Sequence, residues 1–256
     1  MSNLAPGIVV PAPSRYSDLA ARAVESLPQF RQIVGNVSYE AKGILDSEMF
    51  FLRLCLKDGF DGRILESGRA RGQSTLVLAL LFPRARIISI ELDPRSPDVS
   101  VAQERLSGHK NVDLRFGNAE EILPTEIAPG DVVLIDGPKM FRAVRLAIRL
   151  LASGRPDAVF MHDMKVGTPE RVFLTRFFPE ALFSDARTLA KVTHELDKNA
   201  LTERAPLTRL EEVTGDFGYG YSLTCLPRVP RKSYRLLLLL SYVYDALCRL
   251  RTRVRI

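Results

Sequence analysis

Hydrophobic positions follow two rhythms along the chain. In residues 17–34 and 39–57 they recur at helical spacing, which predicts two helices before any strand, the first kinked or interrupted at Pro28. From Arg63 onward, short apolar runs alternate with helical segments. Strands that crossover helices bury on both faces have this pattern, so it predicts a mostly parallel sheet.

Seven short apolar runs are candidate strands. In chain order they are ILE (64–66), ARIISIEL (85–92), VDLRFG (112–117), DVVLID (131–136), DAVFMHD (157–163), the run at 181–184 and GYGYSLTCLP (218–227). Helices are predicted near 73–82, 98–107, 119–123, 140–152 and 168–177. The last strand is expected to pair antiparallel with the 181–184 run at a sheet edge. The predicted fold is α/β: a doubly wound, mostly parallel, seven-stranded Rossmann-like sheet with helices on both faces and a late antiparallel strand.

The composition is that of a globular protein, with 46% hydrophobic and 26% charged residues in a chain of 256. Three regions are predicted: an arm with two helices (1–58), a Rossmann-like domain (59–230) and a tail (231–256). Three widely spaced cysteines favour a reducing compartment over a disulfide framework or a zinc site. The start of the sequence lacks the pattern of a secretory signal, so we expect a cytoplasmic protein.

The formal net charge of +6 is concentrated at one end of the chain. Residues 231–256 contain seven basic residues and one acid, so the first 230 residues are formally neutral. A neutral body with a basic tail argues for a local interaction of the tail and against a nucleic-acid-binding face.

The tail contains an apolar stretch, LLLLLSYVYDALC (236–248), between basic residues. It is too short to span a bilayer, which needs about 20 residues. Two interpretations remain open. The stretch is an interfacial helix that binds anionic lipid at the inner face of the membrane, or it packs on the body or on a second subunit as in a homodimer.

The stretch GRILESGRARGQS (62–74) joins a predicted strand to a predicted helix through small residues. The strand ends at Glu66, and the loop contains Gly68, Ala70 and Gly72. Such a loop lets a ligand approach main-chain N–H groups at the positive end of a helix. Arg69 and Arg71 lie in the same loop, either solvated or as attractors of an anionic substrate.

Polar residues also end the other predicted strands. They are Glu91 with Asp93, Gly117 with Asn118, Asp136, and His162 with Asp163. In an open parallel sheet, ligands bind beyond the carboxyl ends of the strands. Glu91 comes after the strand, loop and helix, where an acid can accept hydrogen bonds from ribose hydroxyls. Asn118 has an equally good alternative as a helix N-cap.

The loop lacks the third glycine of a dinucleotide site, because Gln73 follows Gly72. Instead, the E-x-G-x-x-x-G-x-S pattern from Glu66 to Ser74 resembles the first motif of class I S-adenosylmethionine-dependent methyltransferases. This resemblance, over about residues 40–226, implies that S-adenosylmethionine is the cofactor. It implies that the loop from Gly68 through Ala70 to Gly72 lines the methionine moiety, that Glu91 binds the ribose and that Asn118 lies by the adenine. Glu66 and Ser74, at the two ends of the motif, are also implied to bind the cofactor.

LIDGPK (134–139) and FMHDMK (160–165) resemble metal-dependent O-methyltransferases of the catechol, caffeoyl-CoA and macrocin types. The resemblance implies that Asp136 and Asp163 hold Mg²⁺ and that Lys139 accepts the proton of the substrate hydroxyl. Met164 stands where that family has Asn, which removes one oxygen ligand. His162 is then a candidate replacement ligand or general base. Capping, solvation and core packing are the alternatives for these four residues.

The leading hypothesis is therefore an S-adenosylmethionine-dependent O-methyltransferase that acts on a hydroxyl of a small molecule, sugar or lipid-linked glycan. A second hypothesis is a non-catalytic protein of the same fold that associates with a membrane or a partner through its tail, and Met164 favours it. An NAD-dependent oxidoreductase is the third, and the glycine spacing disfavours it.

Overall fold

A computed structural model describes residues 15–38, 40, 43–197 and 222–253. Its helices are α1 (Arg15–Val34), α2 (Asp46–Cys55), α3 (Gln73–Leu81), α4 (Asp98–Leu106), α5 (Ala119–Glu126), α6 (Phe141–Ala152), α7 (Pro169–Phe177), α8 (Arg187–Thr193) and α9 (Tyr234–Arg253), with a 3-10 turn at His194–Asp197. Its strands are β1 (Arg63–Ser67), β2 (Arg86–Glu91), β3 (Val112–Phe116), β4 (Val132–Ile135), β5 (Ala158–Met161), β6 (Leu182–Phe183) and β7 (Thr224–Pro227).

The strands form a seven-stranded sheet in the order β3-β2-β1-β4-β5-β7-β6. Strands β1 to β5 are parallel, and β7 is antiparallel to both of its neighbours. Leu65 in the central strand lies opposite Ile88 of β2 and Val133 of β4. The predicted fold class is confirmed. The direction of strand addition reverses between β1 and β4, which puts the expected ligand crevice at their carboxyl ends.

Two hydrophobic cores cover the two faces of this sheet. Neighbouring residues of a strand point to opposite faces, so Ile64 joins one core and Leu65 the other. Helices α1, α2 and α3 pack on the face of Ile64, and helices α5, α6, α7 and α9 pack on the face of Leu65. The short apolar runs are therefore strands because both of their faces are buried.

The antiparallel pairing of the last strand is also confirmed. Leu182 lies opposite Cys225 and Phe183 opposite Thr224. The same strand pairs with β5 on its other side, so β7 lies between β5 and β6. Strand β7 begins at Thr224, and the earlier part of the predicted strand, 218–221, lies outside the described residues, as do the arm at 1–14 and the region 198–215.

The two N-terminal helices differ from the prediction in detail. Helix α1 continues through Pro28, so the predicted interruption is absent; the carbonyl that the proline leaves without a helical partner belongs to Val24, a residue that is 63% exposed. Helix α2 begins at Asp46 and not near residue 39. The Glu48 carboxylate accepts a hydrogen bond from the Leu45 backbone N–H at 2.9 Å, which marks the helix start in the manner of a capping box.

Helix α9 is part of the folded body. The Tyr244 ring lies 6.1 Å from the Phe141 ring of α6 and 5.7 Å from the Phe173 ring of α7, measured between centroids. Arg145 of α6 forms an ion pair with Asp245 at 3.0 Å. Within the part of the chain that the structure describes, no helix is both long and apolar enough to cross a membrane.

Candidate functional site

The loop after β1 passes so close to the backbone of the β4 loop that its first position has room only for glycine. Gly68 has a φ of +81°, and its N–H donates to the Ile90 carbonyl at 2.9 Å. A Cβ on Gly68 would lie 2.8 Å from the Gly137 nitrogen and 3.0 Å from the Asp136 carbonyl carbon. The loop ends at Gly72, which caps α3 with a φ of 80°. The β1 loop and the β4 loop are therefore in direct contact.

Glu66 stabilises this loop through buried hydrogen bonds. It is fully buried and accepts hydrogen bonds from the Ser74 and Thr75 hydroxyls and, at 2.7 Å, from the Ser89 hydroxyl. Burial raises the pKa of Glu66, although these three hydrogen bonds act in the opposite direction. Its contacts tie β1 and β2 to the start of α3. Its link to a ligand in the loop would pass through Ser74, which borders a cavity.

Gly68 borders two cavities. One, of about 230 Å³, is lined by several of the predicted residues, including Ala70, Ser74 and Asp136. The other, of about 220 Å³, is lined by Glu91 and Asn118 among others. We call them the loop cavity and the strand-end cavity. Gly68 borders both cavities, whereas Glu66 and Gly72, also predicted to bind the cofactor, line neither of them.

Glu91 and Asn118 also have structural partners. The Glu91 carboxylate accepts from the Ala70 N–H at 2.9 Å and from the Leu92 N–H at 2.8 Å. Asn118 is the N-cap of α5, because its side-chain oxygen accepts from the Glu120 N–H at 3.0 Å. Each carboxylate oxygen has a second acceptor position, so Glu91 could still bind two hydroxyls. A carboxylate and an amide beside a cavity that Gly68 borders suit the hydroxyl and ring nitrogen groups of a nucleoside.

The arginines of the loop have separate roles. Arg69 is buried, so it is not the solvated side chain that the sequence allowed. Its guanidinium donates to the Ser89 and Arg115 carbonyls, each at 2.9 Å, and lies 4.7 Å from the centroid of the Phe116 ring. Arg71 is half-exposed at the loop cavity and forms an ion pair with Glu40 at 3.3 Å. Arg69 also lines the loop cavity, and its Nε and Nη2 atoms have no hydrogen-bond partner among the described residues, so both arginines remain candidates for attracting an anion.

Four charged side chains meet at the ends of β4 and β5. The Nδ1 atom of His162 lies 2.7 Å from the Asp136 carboxylate and 3.7 Å from that of Asp163. Asp136, His162 and Asp163 each offer a ligand atom, all within 4.8 Å of one another. Lys139 places its ammonium on both acids, in close contact with Asp136 and 2.8 Å from Asp163. The residues predicted to carry the chemistry are thus brought together.

Sequence reasoning missed a further member of this cluster, Glu48. Its carboxylate reaches from α2 to within 3.2 Å of Nε2 of His162, so both imidazole nitrogens face a carboxylate. Burial alone would lower the pKa of His162, but the charge of Glu48 and the hydrogen bond to Asp136 raise it well above 6.5. A glutamate near a helix start is ordinary capping chemistry, so the sequence carried no distinct signal.

The backbone around this cluster is strained. Among the described residues, the non-glycine residues with positive φ are Ala70 at 43°, Met140 at 59° and Asp163 at 64°. They follow β1, β4 and β5, respectively, and so lie at the same edge of the sheet. Such conformations cost about 1–3 kcal/mol each and persist where the surrounding structure holds them. Their concentration here is typical of a functional site.

The residues around Asp136 and Asp163 suit a divalent metal poorly. Met164 is buried in the hydrophobic core, and its N–H donates to the Ser222 carbonyl, so no third oxygen ligand follows Asp163. The Lys139 ammonium already contacts both acids. Mg²⁺ requires several oxygen ligands in near-octahedral geometry, so it would have to displace that ammonium.

The strand order, with its antiparallel seventh strand, is that of the class I S-adenosylmethionine-dependent methyltransferase fold. No family model matches the sequence, and no curated protein matches it.

Among solved structures, the chain resembles the O-methyltransferase TomG from Streptomyces achromogenes, with 19% identity, 82% of this chain and 89% of that chain covered, and a TM-score of 0.43. It resembles Rv0187 from MTB at 20% identity, covering 86% and 99%, with a TM-score of 0.45. It also resembles the methyltransferase PaMTH1 from Podospora anserina at 17% identity, covering 88% and 100%, with a TM-score of 0.43. These likenesses are too distant to carry an inference about the reaction.

Proposed function

We propose that this protein is an S-adenosylmethionine-dependent O-methyltransferase that acts on a hydroxyl of a small molecule, sugar or lipid-linked glycan. The observation that carries the proposal is that Gly68 borders both cavities. The strand-end cavity has Glu91 and Asn118, while the loop cavity has Asp136 and, through it, the charged cluster. A nucleoside in the first and a methionine moiety in the loop would leave a reacting group near Asp136.

In the proposed reaction, S-adenosylmethionine supplies an electrophilic methyl group and leaves as S-adenosylhomocysteine. Asp136 would accept a hydrogen bond from the acceptor hydroxyl, which orients the oxygen for in-line attack. As the new O–C bond forms, the hydroxyl proton becomes strongly acidic. A carboxylate can therefore take that proton even though its own pKa is low.

The other members of the cluster would position Asp136 and balance its charge. Although burial opposes ionisation, the hydrogen bond from His162 and the charges of His162 and Lys139 hold the pKa of Asp136 below its ordinary value. Glu48 fixes His162 from the opposite side. Two cations thus stand beside three carboxylates, a charge balance that a bound divalent ion would otherwise provide.

The first test is ligand binding measured by calorimetry with S-adenosylmethionine, S-adenosylhomocysteine and NAD. We expect the first two to bind and NAD not to bind. A methyl-transfer assay with a panel of hydroxylated acceptors then separates an enzyme from a non-catalytic protein that binds the same cofactor. If neither S-adenosylmethionine nor its product binds, the proposal is wrong.

The second test concerns the metal. If Lys139 and His162 take the place of a divalent ion, methyl transfer should continue after treatment with EDTA and should not increase on addition of Mg²⁺. Loss of activity in EDTA with recovery in Mg²⁺ would show instead that the metal displaces Lys139 from the two acids.

A non-catalytic role remains the second candidate. Asp136 and Asp163 already have cationic partners in Lys139 and His162, and Met164 is packed in the core. A protein of this kind would bind S-adenosylmethionine but transfer no methyl group to any acceptor of the panel.

A further inference from the structure

Helix α9 has an inner face that belongs to the body of the protein. Tyr234 and Leu237 are buried in the same core as Phe173, and Ser241 is fully buried. The Tyr234 hydroxyl also donates to the Val229 carbonyl at 2.9 Å. These contacts fix the rotation of the helix about its axis, so its opposite face must point away from the protein.

That opposite face is apolar. Its large side chains are 49–60% exposed, and we call them the outer stripe: Leu236, Leu239, Val243, Leu247 and Leu250. They are three or four positions apart, which puts them on one side of an α-helix over about 21 Å of its length. Ala246 lies in the same arc and is also exposed. A surface helix normally carries polar residues here, so the arrangement is the reverse of the usual one.

Positive charge borders the outer stripe. Arg235 is exposed beside its first turn together with Lys232, and Arg249, which forms an ion pair with Asp245, is 71% exposed near its far end. The segment 231–256 carries the whole formal net charge of the chain. Tyr242 lies between these charges, 55% exposed and stacked on the Arg145 guanidinium at 4.6 Å.

We propose that the outer stripe is a docking surface for a membrane that contains anionic lipid. Five apolar side chains in one row can insert below the headgroups, while the basic residues beside them meet the lipid phosphates. Tyrosine suits the boundary between the two regions. The helix would lie in the plane of the interface and would not span it.

The distribution of charge favours this occupant over a second copy of the chain. Pairing two outer stripes would bring two segments of formal charge +6 together, because Asp245 is their single acid and is already paired with Arg145 and Arg249. Like charges at an interface cost free energy, whereas an anionic surface gains from the same charges.

The test is co-sedimentation of the full-length protein with phosphatidylcholine vesicles, with and without about 30% phosphatidylglycerol. We expect binding to the anionic vesicles that weakens as salt rises. The double variant Leu239→Glu, Val243→Glu should lower that affinity at least about tenfold, since it puts two charges into the inserted face. Both positions are exposed, so thermal unfolding should be nearly unchanged.

The single variants Val243→Glu and Val24→Glu form a pair matched in residue and charge, because Val24 is 63% exposed on α1 and lies outside the outer stripe; Val243→Glu should weaken vesicle binding, and Val24→Glu is the control. It should bind vesicles as the wild type does. Equal vesicle binding by the wild type and the double variant would overturn the proposal. So would a dimer in sedimentation velocity that the double variant abolishes while neither protein binds vesicles, since the stripe would then be an interface between copies.

Discussion

His162 is held between two carboxylates that lie far apart in the sequence. Its Nε2 lies 3.2 Å from Glu48 and its Nδ1 lies 2.7 Å from Asp136. A histidine held at both nitrogens cannot turn toward a substrate. It is therefore better suited to fix Asp136 than to act as a mobile base, and Asp136 is the member that borders the loop cavity.

Asp136→Asn tests whether Asp136 is the group that takes the proton. The amide keeps the shape of the side chain but cannot take a proton, so turnover should fall at least about 100-fold. The affinity for S-adenosylmethionine, measured by calorimetry, should change little. Asp163→Asn should also lower turnover with little change in cofactor affinity, because it weakens the ion pair that holds Lys139 beside Asp136. An equal loss of cofactor binding in both variants would mean that the acids are structural.

Gly68→Ala tests the contact between the β1 and β4 loops. The added Cβ would meet backbone atoms at 2.8 and 3.0 Å in a residue with φ of +81°, so relief requires movement of the chain. We expect a loss of about 1–3 kcal/mol in the free energy of unfolding and at least about tenfold weaker cofactor binding. Gly108→Ala is the control, because a Cβ there has no atom within 4 Å. Identical behaviour of the two variants would contradict the close contact between the β1 and β4 loops.

Acidic side chains of α2 and of the 3-10 turn at His194–Asp197 meet at the start of α2. Asp197 is fully buried, and its Oδ1 accepts from the Ser47 N–H at 3.0 Å. Burial, helped by the charges of Glu48 and Asp46, raises the pKa of Asp197 to about 7. Burial likewise raises the pKa of Asp46 to about 6. The packing of α2 on the 3-10 turn at His194–Asp197 should therefore depend on pH.

The sign of that dependence follows from proton linkage. The folded state binds the Asp197 proton more tightly than the unfolded state, so its contribution to stability is present below the ordinary pKa of 3.8. It is lost as pH rises toward about 7, by at most about 1.4 kcal/mol per pH unit. Asp197→Asn keeps the acceptor for Ser47 without the charge. The melting temperature of the variant minus that of the wild type should therefore be larger at pH 8 than at pH 5. A difference that stays constant with pH would contradict the raised pKa.

Helix α9 packs on both α6 and α7. Tyr244→Ala removes a ring that contacts both Phe141 and Phe173, so it should cost about 2–4 kcal/mol of unfolding free energy. Tyr242→Ala, on the exposed side, should cost less than about 1 kcal/mol. Chemical denaturation of the two variants measures the difference. Equal costs would mean that the helix does not pack as described.

For the whole molecule, the sheet order decides where chemistry is possible. The carboxyl ends of the five parallel strands lie along one edge of the sheet, where the crevice between β1 and β4 opens. The strained residues Ala70, Met140 and Asp163 lie at that same edge. These strands could be predicted because a strand buried on both faces is a local pattern of apolar residues. Their polar ends followed from the same pattern, since each apolar run stops where the strand leaves the core.

Long-range partners could not be predicted in that way. Glu48 and His162 are 114 positions apart, and a glutamate at a helix start has an ordinary local explanation. The burial of Arg69 depends on strands β2 and β3, whose carbonyl groups it binds. Five consecutive leucines do not show which side of α9 is buried. In the structure, Leu237 is buried while Leu236 and Leu239 are exposed.

The sequence by itself determined the α/β class, the loop from Glu66 to Ser74 and the set of polar strand ends, because these depend on residues close together in the chain. Only the tertiary structure decided which of them meet. It brought Lys139 onto both acids, added Glu48 to His162, buried Met164 and turned the outer stripe of α9 away from the protein. Such contacts arise from the packing of distant elements, and no local pattern records them.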